Sequence, residues 1–209
     1  MEGCQRALFL IHGMGSGEDY AEREVTGARR FREAAEAVGL RRLVYLGGVA
    51  PAGAASRHLS ARLATGEALR EGSLSAIELR AAMVIGEGSE SWLMVTDLAR
   101  RLPAMLLPRW VQNTSWPISI EDVTRGLLAA LQLPGEDSAV FELPGPERIR
   151  HRDLLQRVSR ALGRRPLMLD VPLVTPRLSS YWIGFVTRAD AALAKELVRG
   201  IGSDLEPTG

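Results

Sequence analysis

Cysteine is nearly absent from this sequence. One occurs in 209 residues, Cys4, which excludes an internal disulfide framework and suits a reducing compartment. Excess charge of either sign is absent as well: 26 Lys and Arg against 25 Asp and Glu leave a formal net charge of +1. That balance gives no general reason to expect nucleic acid or an anionic membrane as partner. Long hydrophobic runs are missing too. The opening Met1-Glu2-Gly3-Cys4-Gln5-Arg6 is followed only by the short apolar stretch Ala7–Ile11, too brief for the core of a secretory signal. Nowhere do the roughly 20 consecutive apolar residues of a membrane span occur. The expected location is the cytoplasm. Repeats and low-complexity tracts are lacking. What is present is an ordinary globular composition, 46% hydrophobic and 24% charged, at a length that suits one domain, with or without a small appendage.

Short apolar runs alternate with longer amphipathic stretches, the pattern of βα units feeding a parallel sheet. Ala7 to Met14 is a continuous apolar run ending in glycines and reads as a strand buried on both faces. A helix is expected from about Glu18 to Val38, with Ser16 and Asp19 at capping-box spacing and Gly39 where a helix terminus wants φ above zero. Arg41 to Gly48 reads as a second strand, Arg57 to Arg70 as a second helix, and the span Leu74 to Val84 as holding a third strand. Ser91 to Leu102 should be helical. Pro103 to Pro117 reads as a long irregular connection, of the kind that is functional or leads to a second lobe. Ser119-Ile120-Glu121-Asp122 opens a helix to about Leu131, again with capping-box spacing. Val140 to Leu143 is a short strand, Arg150 to Leu162 a helix ended by Gly163, and Pro166 to Val171 a further strand. Ala189 to Gly200 looks helical. The expected division is 1–102 for the main α/β unit and 103–209 for a mixed segment that returns to the sheet and forms a small substrate-binding lobe.

Glycines follow several strands, and two motifs built on them fail their own tests. Leu10-Ile11-His12-Gly13-Met14-Gly15-Ser16-Gly17 resembles the oxyanion loop of α/β-hydrolases, but that chemistry requires a Gly-x-Ser-x-Gly elbow, and none follows. The hydrolase reading is therefore the weakest. As a dinucleotide fingerprint, Gly13 and Gly15 fit, yet the third glycine position is Glu18, and the second strand ends in Gly47-Gly48 instead of an acidic residue. Gly86-Glu87-Gly88-Ser89, after the third strand, reads as a turn.

The order of motifs resembles a known superfamily. ALFLIHGMGSG, RRLVYLGG and the span Arg57 to Ile85, with Glu67-Ala68-Leu69-Arg70 and Glu78-Leu79-Arg80, are similar to strands four to six of atypical short-chain dehydrogenase/reductases, in particular the NmrA-like and complex-I-accessory-like group. PISIEDVTRGLLAAL, VFELPGPERIRHRDLLQRV and TPRLSSYWIGFVT resemble later segments of the same group. The resemblance implies a partial Rossmann fold, α/β with a doubly wound parallel sheet from strand four onward, NAD or NADP as cofactor, and a small-molecule substrate of unknown identity. It also implies that the glycine-rich βαβαβ unit holding the dinucleotide pyrophosphate is not among the segments matched here. Two expectations follow: weak cofactor binding, and self-association through Ala7–His12, an uncharged strand left at a sheet edge.

The superfamily's catalytic tyrosine, and the lysine one helical turn beyond it, align with His58 and Arg62. The resemblance thus assigns His58 a proton-shuttle role near neutral pH and Arg62 the binding of a ribose or phosphate oxygen. In a parallel sheet, ligands bind beyond the carboxyl ends of the strands. That places His12, Gly13, Met14, Gly47, Gly48, Arg80, Ala81 and Ala82 along a candidate cofactor rim. Arg109, Trp110 and Trp116 lie on the connection that would cover a substrate. His151 reads as a surface residue. Two functional classes stay open: an NAD(P)-binding oxidoreductase-like protein, and a non-catalytic NAD(P)-sensing or regulatory module.

Overall fold

Leu43-Val44-Tyr45-Leu46 is apolar at every position, and a strand of that kind has to be covered on both sides. The computed structural model, which describes residues 3–13, 19–50 and 55–171, puts it at the centre of a sheet. The elements in chain order are β1 (Arg6–Phe9), α1 (Tyr20–Ala37), β2 (Arg42–Gly48), α2 (Arg57–Arg70), β3 (Ser75–Ala81), β4 (Val84–Ile85) and α3 (Glu90–Arg101). After these come β5 (Ala104–Pro108), a 3-10 turn at Arg109–Gln112, β6 (Thr114–Ser115), β7 (Ile118–Ser119) and α4 (Ile120–Gln132). The last are β8 (Ala139–Leu143), β9 (Ile149–Arg150), α5 (His151–Ala161) and β10 (Leu167–Val171).

Four strands form the main sheet in the order β1-β2-β3-β8, all parallel. Side chains alternate across β2. Leu43 and Tyr45 join Phe9, Ala28, Ala35, Ala68 and Leu69 in a core under α1 and α2. Val44 joins Ile77, Leu79, Val123, Leu127 and Ala130 in a core under α4. Helices therefore cover both faces, as a doubly wound α/β fold requires. The buried Arg42 ties the start of β2 to the end of α4: its guanidinium donates to the carbonyls of Leu133 and Gly135 and, at 3.3 Å, to Ser75 Oγ. A cation at a helix C-terminus suits the helix dipole.

The caps follow the sequence. Ser119 Oγ accepts from Asp122 N at 3.0 Å and starts α4. Ser89 and Ser56 do the same for α3 and α2, so the glycine turn at Gly86–Ser89 is the entrance to α3. Gly39 (φ 74°) and Gly163 (φ 73°) end α1 and α5 in the left-handed conformation. Asp19 precedes α1 without a side-chain cap bond, and Ser16 lies outside the described residues.

The structure corrects three expectations. The first strand ends at Phe9 and is not buried on both faces, with Leu8 38% and, beyond the strand, Leu10 48% and Ile11 64% exposed; its place at the border of the described sheet is the edge position expected for it. The stretch Pro103–Pro117 is not irregular. Between its first two prolines the run Ala104-Met105-Leu106-Leu107 pairs in parallel with β10, because alternate residues Met105 and Leu107 have a core to enter. That core, shared by Val95, Ala99, Val111, Leu154, Leu155 and Val158, joins α3 to α5. His151 is not a surface residue either; it is 5% exposed at the start of α5, where its backbone N–H donates to Asn113 O at 3.1 Å.

Candidate functional site

Parallel pairing carries the carboxyl ends of β1, β2 and β3 to one side of the sheet, with Phe9 opposite Tyr45, Gly47 opposite Arg80 and Gly48 opposite Ala81. His12 and Gly13 follow β1 directly, and Arg57-His58 opens α2 just beyond Gly48. His12 and His58 are near enough to interact electrostatically. His58 is half-buried, and its Nδ1 has no hydrogen-bond partner. Burial first, then the charges of Arg62 and His12, push its imidazole down to about 4. It is therefore neutral at pH 7 and presents one donor and one acceptor. A proton shuttle near neutral pH requires a pKa near that pH, and these surroundings move His58 away from it.

Arg62 lies one turn further along α2, with its side chain 12% exposed. The guanidinium donates to the carbonyl of Leu46 at the end of β2. It also stacks 4.9 Å from the Tyr45 ring centroid and faces Glu24 Oε1 of α1 at 3.6 Å. Tyr45, in turn, donates its hydroxyl to Arg62 O at 3.1 Å, and burial pushes its phenol up to about 12 against the pull of Arg62. Arg62 thus locks α1, β2 and α2 together. Tyr45 lies within the RRLVYLGG motif without being singled out by it, and Glu24 lies outside the motifs that define the candidate rim. The signal for Glu24 is a carboxylate on the apolar stripe of α1, one turn from both Tyr20 and Ala28.

The glycines at the end of β2 prove to be packing positions. A Cβ on Gly47 would come 2.7 Å from Glu78 Oε1, and one on Gly48 3.1 Å from Leu59 Cδ2. The space that a side chain would take at these two positions is filled by the protein. On α2, a Cβ on Gly66 would stand 2.3 Å from Glu78 Oε2. Glu78, its side chain 1% exposed, pairs with Arg70 and, at 2.8 Å, with Arg80 Nε; Arg80 also reaches Glu142 at 4.0 Å. Arg80 is accordingly engaged within the sheet. Ala81 belongs to the core under α4, and Ala82 packs on Val49 and Leu59. Arg109 is exposed on the 3-10 turn and Trp116 is half-buried. Among the described residues, neither has a hydrogen bond, ion pair or ring contact with His12, His58 or Arg62. Trp110 falls in the same turn. Met14 lies outside the described residues. Within those residues, no group of His, Cys, Asp and Glu is placed to hold a metal ion, and no helix is long and apolar enough to cross a membrane.

A four-stranded parallel sheet covered by helices on both faces defines a Rossmann-type fold. Comparison with solved structures sharpens the class. The chain is similar to the Citrobacter sp. triphenylmethane reductase complexed with NADP(H), at TM-score 0.72 and 17% identity over 100% of this chain and 70% of that one. It is similar to MoeE5 in complex with UDP-glucose and NAD, at TM-score 0.68 and 17% identity over 96% and 79%. The UDP-glucuronic acid 4-epimerase from Bacillus cereus, in complex with NAD, superposes at TM-score 0.67 and 14% identity over 92% and 75%. The fold is thus the Rossmann type that these NAD- and NADP-bound structures share. No protein-family model matches the chain, and no curated protein matches it significantly.

Proposed function

We propose that this chain is an NAD(P)-binding, oxidoreductase-like protein that takes the dinucleotide across the carboxyl ends of β1, β2 and β3. The observation that carries the reading is the convergence of His12 and a neutral, partly unsatisfied His58 at the edge where α/β sheets bind ligands. The solved structures with this fold contain NAD or NADP, which supports the choice of cofactor. Binding is weak, because the sequence contains no complete G-x-G-x-x-G phosphate loop. Calorimetric titration with NADH and NADPH is expected to give saturable binding with a Kd of ~0.1–1 mM. Lack of any saturable binding would overturn the reading, and micromolar binding would overturn its weak-affinity part.

One observation favours a second reading, a non-catalytic NAD(P)-sensing or regulatory module. Arg62 is held by Leu46, Glu24 and Tyr45, so it is not free to serve a nicotinamide ribose, and His58 is not the imidazolium that could act as an acid at pH 7. Dinucleotide binding without NADH oxidation, across a panel of aldehydes, ketones and nucleotide sugars, is the outcome this second reading requires.

A further inference from the structure

Segment 147–171 carries seven arginines and three carboxylates, in a chain whose formal net charge is only +1. The three carboxylates are already matched: Glu147 with Arg157 at 2.6 Å, Asp153 with Arg150 at 2.7 Å and Asp170 with Arg152 at 3.5 Å. Arg160, Arg164 and Arg165 are exposed, and among the described residues no hydrogen bond or ion pair engages their guanidinium groups. All three line one cleft of about 600 Å³ between the end of α5 and the start of β10. Spacing explains why they meet. Gln156, Arg160 and Gly163 follow one another at four and three residues, along one face of α5 and just past its end. Gly163 (φ 73°) then turns the chain back, so that Arg164 and Arg165 border the same space. Pro166 and Met168, both half-buried, give it an apolar wall. No described carboxylate lines it. A helix C-terminus ordinarily turns an anion away with its free carbonyls, but here the Gly163 N–H donates to Arg160 O at 2.9 Å and the Arg164 N–H to Ser159 O at 2.8 Å.

We propose that this cleft binds a small organic polyphosphate, its phosphate groups held by Arg160, Arg164 and Arg165. A guanidinium grips phosphate oxygens two at a time, and three uncompensated ones call for a ligand with several negative charges. The volume lies within the roughly 300–1,000 Å³ typical of small-molecule sites. It exceeds what bare phosphates fill, and Met168 and Pro166 are there for the organic part. A concave site suits a small ligand better than a nucleic acid, which takes an extended basic groove along its backbone. None of the lining residues belongs to the rim at the ends of β1, β2 and β3, so the inference does not rest on the dinucleotide reading.

The probes are ATP, inorganic tripolyphosphate and orthophosphate, each titrated into the full chain by calorimetry without magnesium. Sub-millimolar saturation by ATP and tripolyphosphate is expected, with orthophosphate at least about tenfold weaker for want of charge-assisted hydrogen bonds. Gln156→Glu puts a carboxylate into the cleft four residues before Arg160, a spacing that supports a helix, so the variant keeps its fold. It should weaken both polyphosphates at least about tenfold while thermal stability holds or rises. Arg157→Gln makes the same change in net charge on the same helix but outside the cleft, and solvent screening should keep its effect below about twofold. The proposal is overturned by no saturable binding of ATP or tripolyphosphate, by orthophosphate binding as tightly, or by equal losses in the two variants. Tighter binding of a thymidine oligonucleotide than of ATP also overturns it, as does ATP binding far more weakly than tripolyphosphate. NADH affinity lost in Gln156→Glu would place the dinucleotide in this cleft and overturn the separate site. No NADH binding by the unaltered chain counts only against the dinucleotide reading.

Discussion

The two faces of the central sheet are built on different physics. Beneath α4 the packing is apolar: Val44, Ile77 and Leu79 meet Val123, Leu127 and Ala130. Beneath α1 and α2, apolar packing is interrupted by two charged knots, Glu24 with Arg62 and Glu78 with Arg70 and Arg80. The second knot occupies room vacated by Gly47 and Gly66. Hydrophobic burial tolerates small adjustments of position, whereas a buried ion pair fails when one partner is lost. The charged face is also the one that leads to the candidate site, since α2 carries both His58 and Arg62. Position at the strand ends is therefore set by ionic geometry, while α4 supplies nonspecific cohesion from behind.

The sharpest break of this contrast is Glu78→Gln. Stranding two partly buried guanidinium groups should cost about 3–5 kcal/mol, measured by urea denaturation. Leu127→Ala on the apolar face should cost about 2–3 kcal/mol; if Glu78→Gln proves the milder of the two, the charged face is not the more constrained one. Next in size is the pH dependence carried by His58. Its folded pKa, about 4, lies below the ordinary 6.5, so the unfolded chain takes up the proton first as pH falls. The stabilisation is complete above pH 6.5, declines toward pH 4, and amounts to about 3 kcal/mol at most. His58→Gln should flatten the stability profile across that window. A wild-type profile already flat there would show that the imidazole is not held neutral by its surroundings. Smallest is Ser119→Ala, which removes the cap of α4 and should cost about 1 kcal/mol in the same denaturation experiment. A loss of the Glu78 kind at this position would mean that a single polar contact dominates the apolar face too.

The apolar face is the more legible one in the sequence. Ser119-x-x-Asp122 followed by an amphipathic run is enough to mark α4, and the bounds expected for α2, Arg57 to Arg70, are those observed. Apolar patterning and caps are local, so a linear reading recovers them. The site is legible only through resemblance, and only in part. His12 and His58 do come together, but the neutrality of His58 arises from burial and from Arg62, neither of which follows from spacing. Gly47 and Gly48 have the look of ligand clearance in the sequence. Their actual neighbours, Glu78 and Leu59, come from a different strand and from a helix, and sequence distance hides such contacts. The apolar Leu10 and Ile11 make the first strand look longer than it is, since beyond Phe9 the chain leaves its pairing with β2. Pro103 and Pro108 suggest irregularity, but they fall just before β5 and at its last residue.

The parallel pairing of β3 with β8 joins Ile77 to Ala139, and that separation matters during synthesis on the ribosome. A parallel sheet has no local hairpin to complete it, so contacts of this separation form late. While the intervening segment is being translated, β3 has no neighbour on its outer side. An unpaired apolar strand is an aggregation hazard, and charged residues within it are a known safeguard. Ser75–Ala81 carries Glu78 and Arg80 in its interior. Glu78, which in the finished fold pairs with Arg70 of α2, and Arg80, which reaches Glu142 of β8, are charges of that kind.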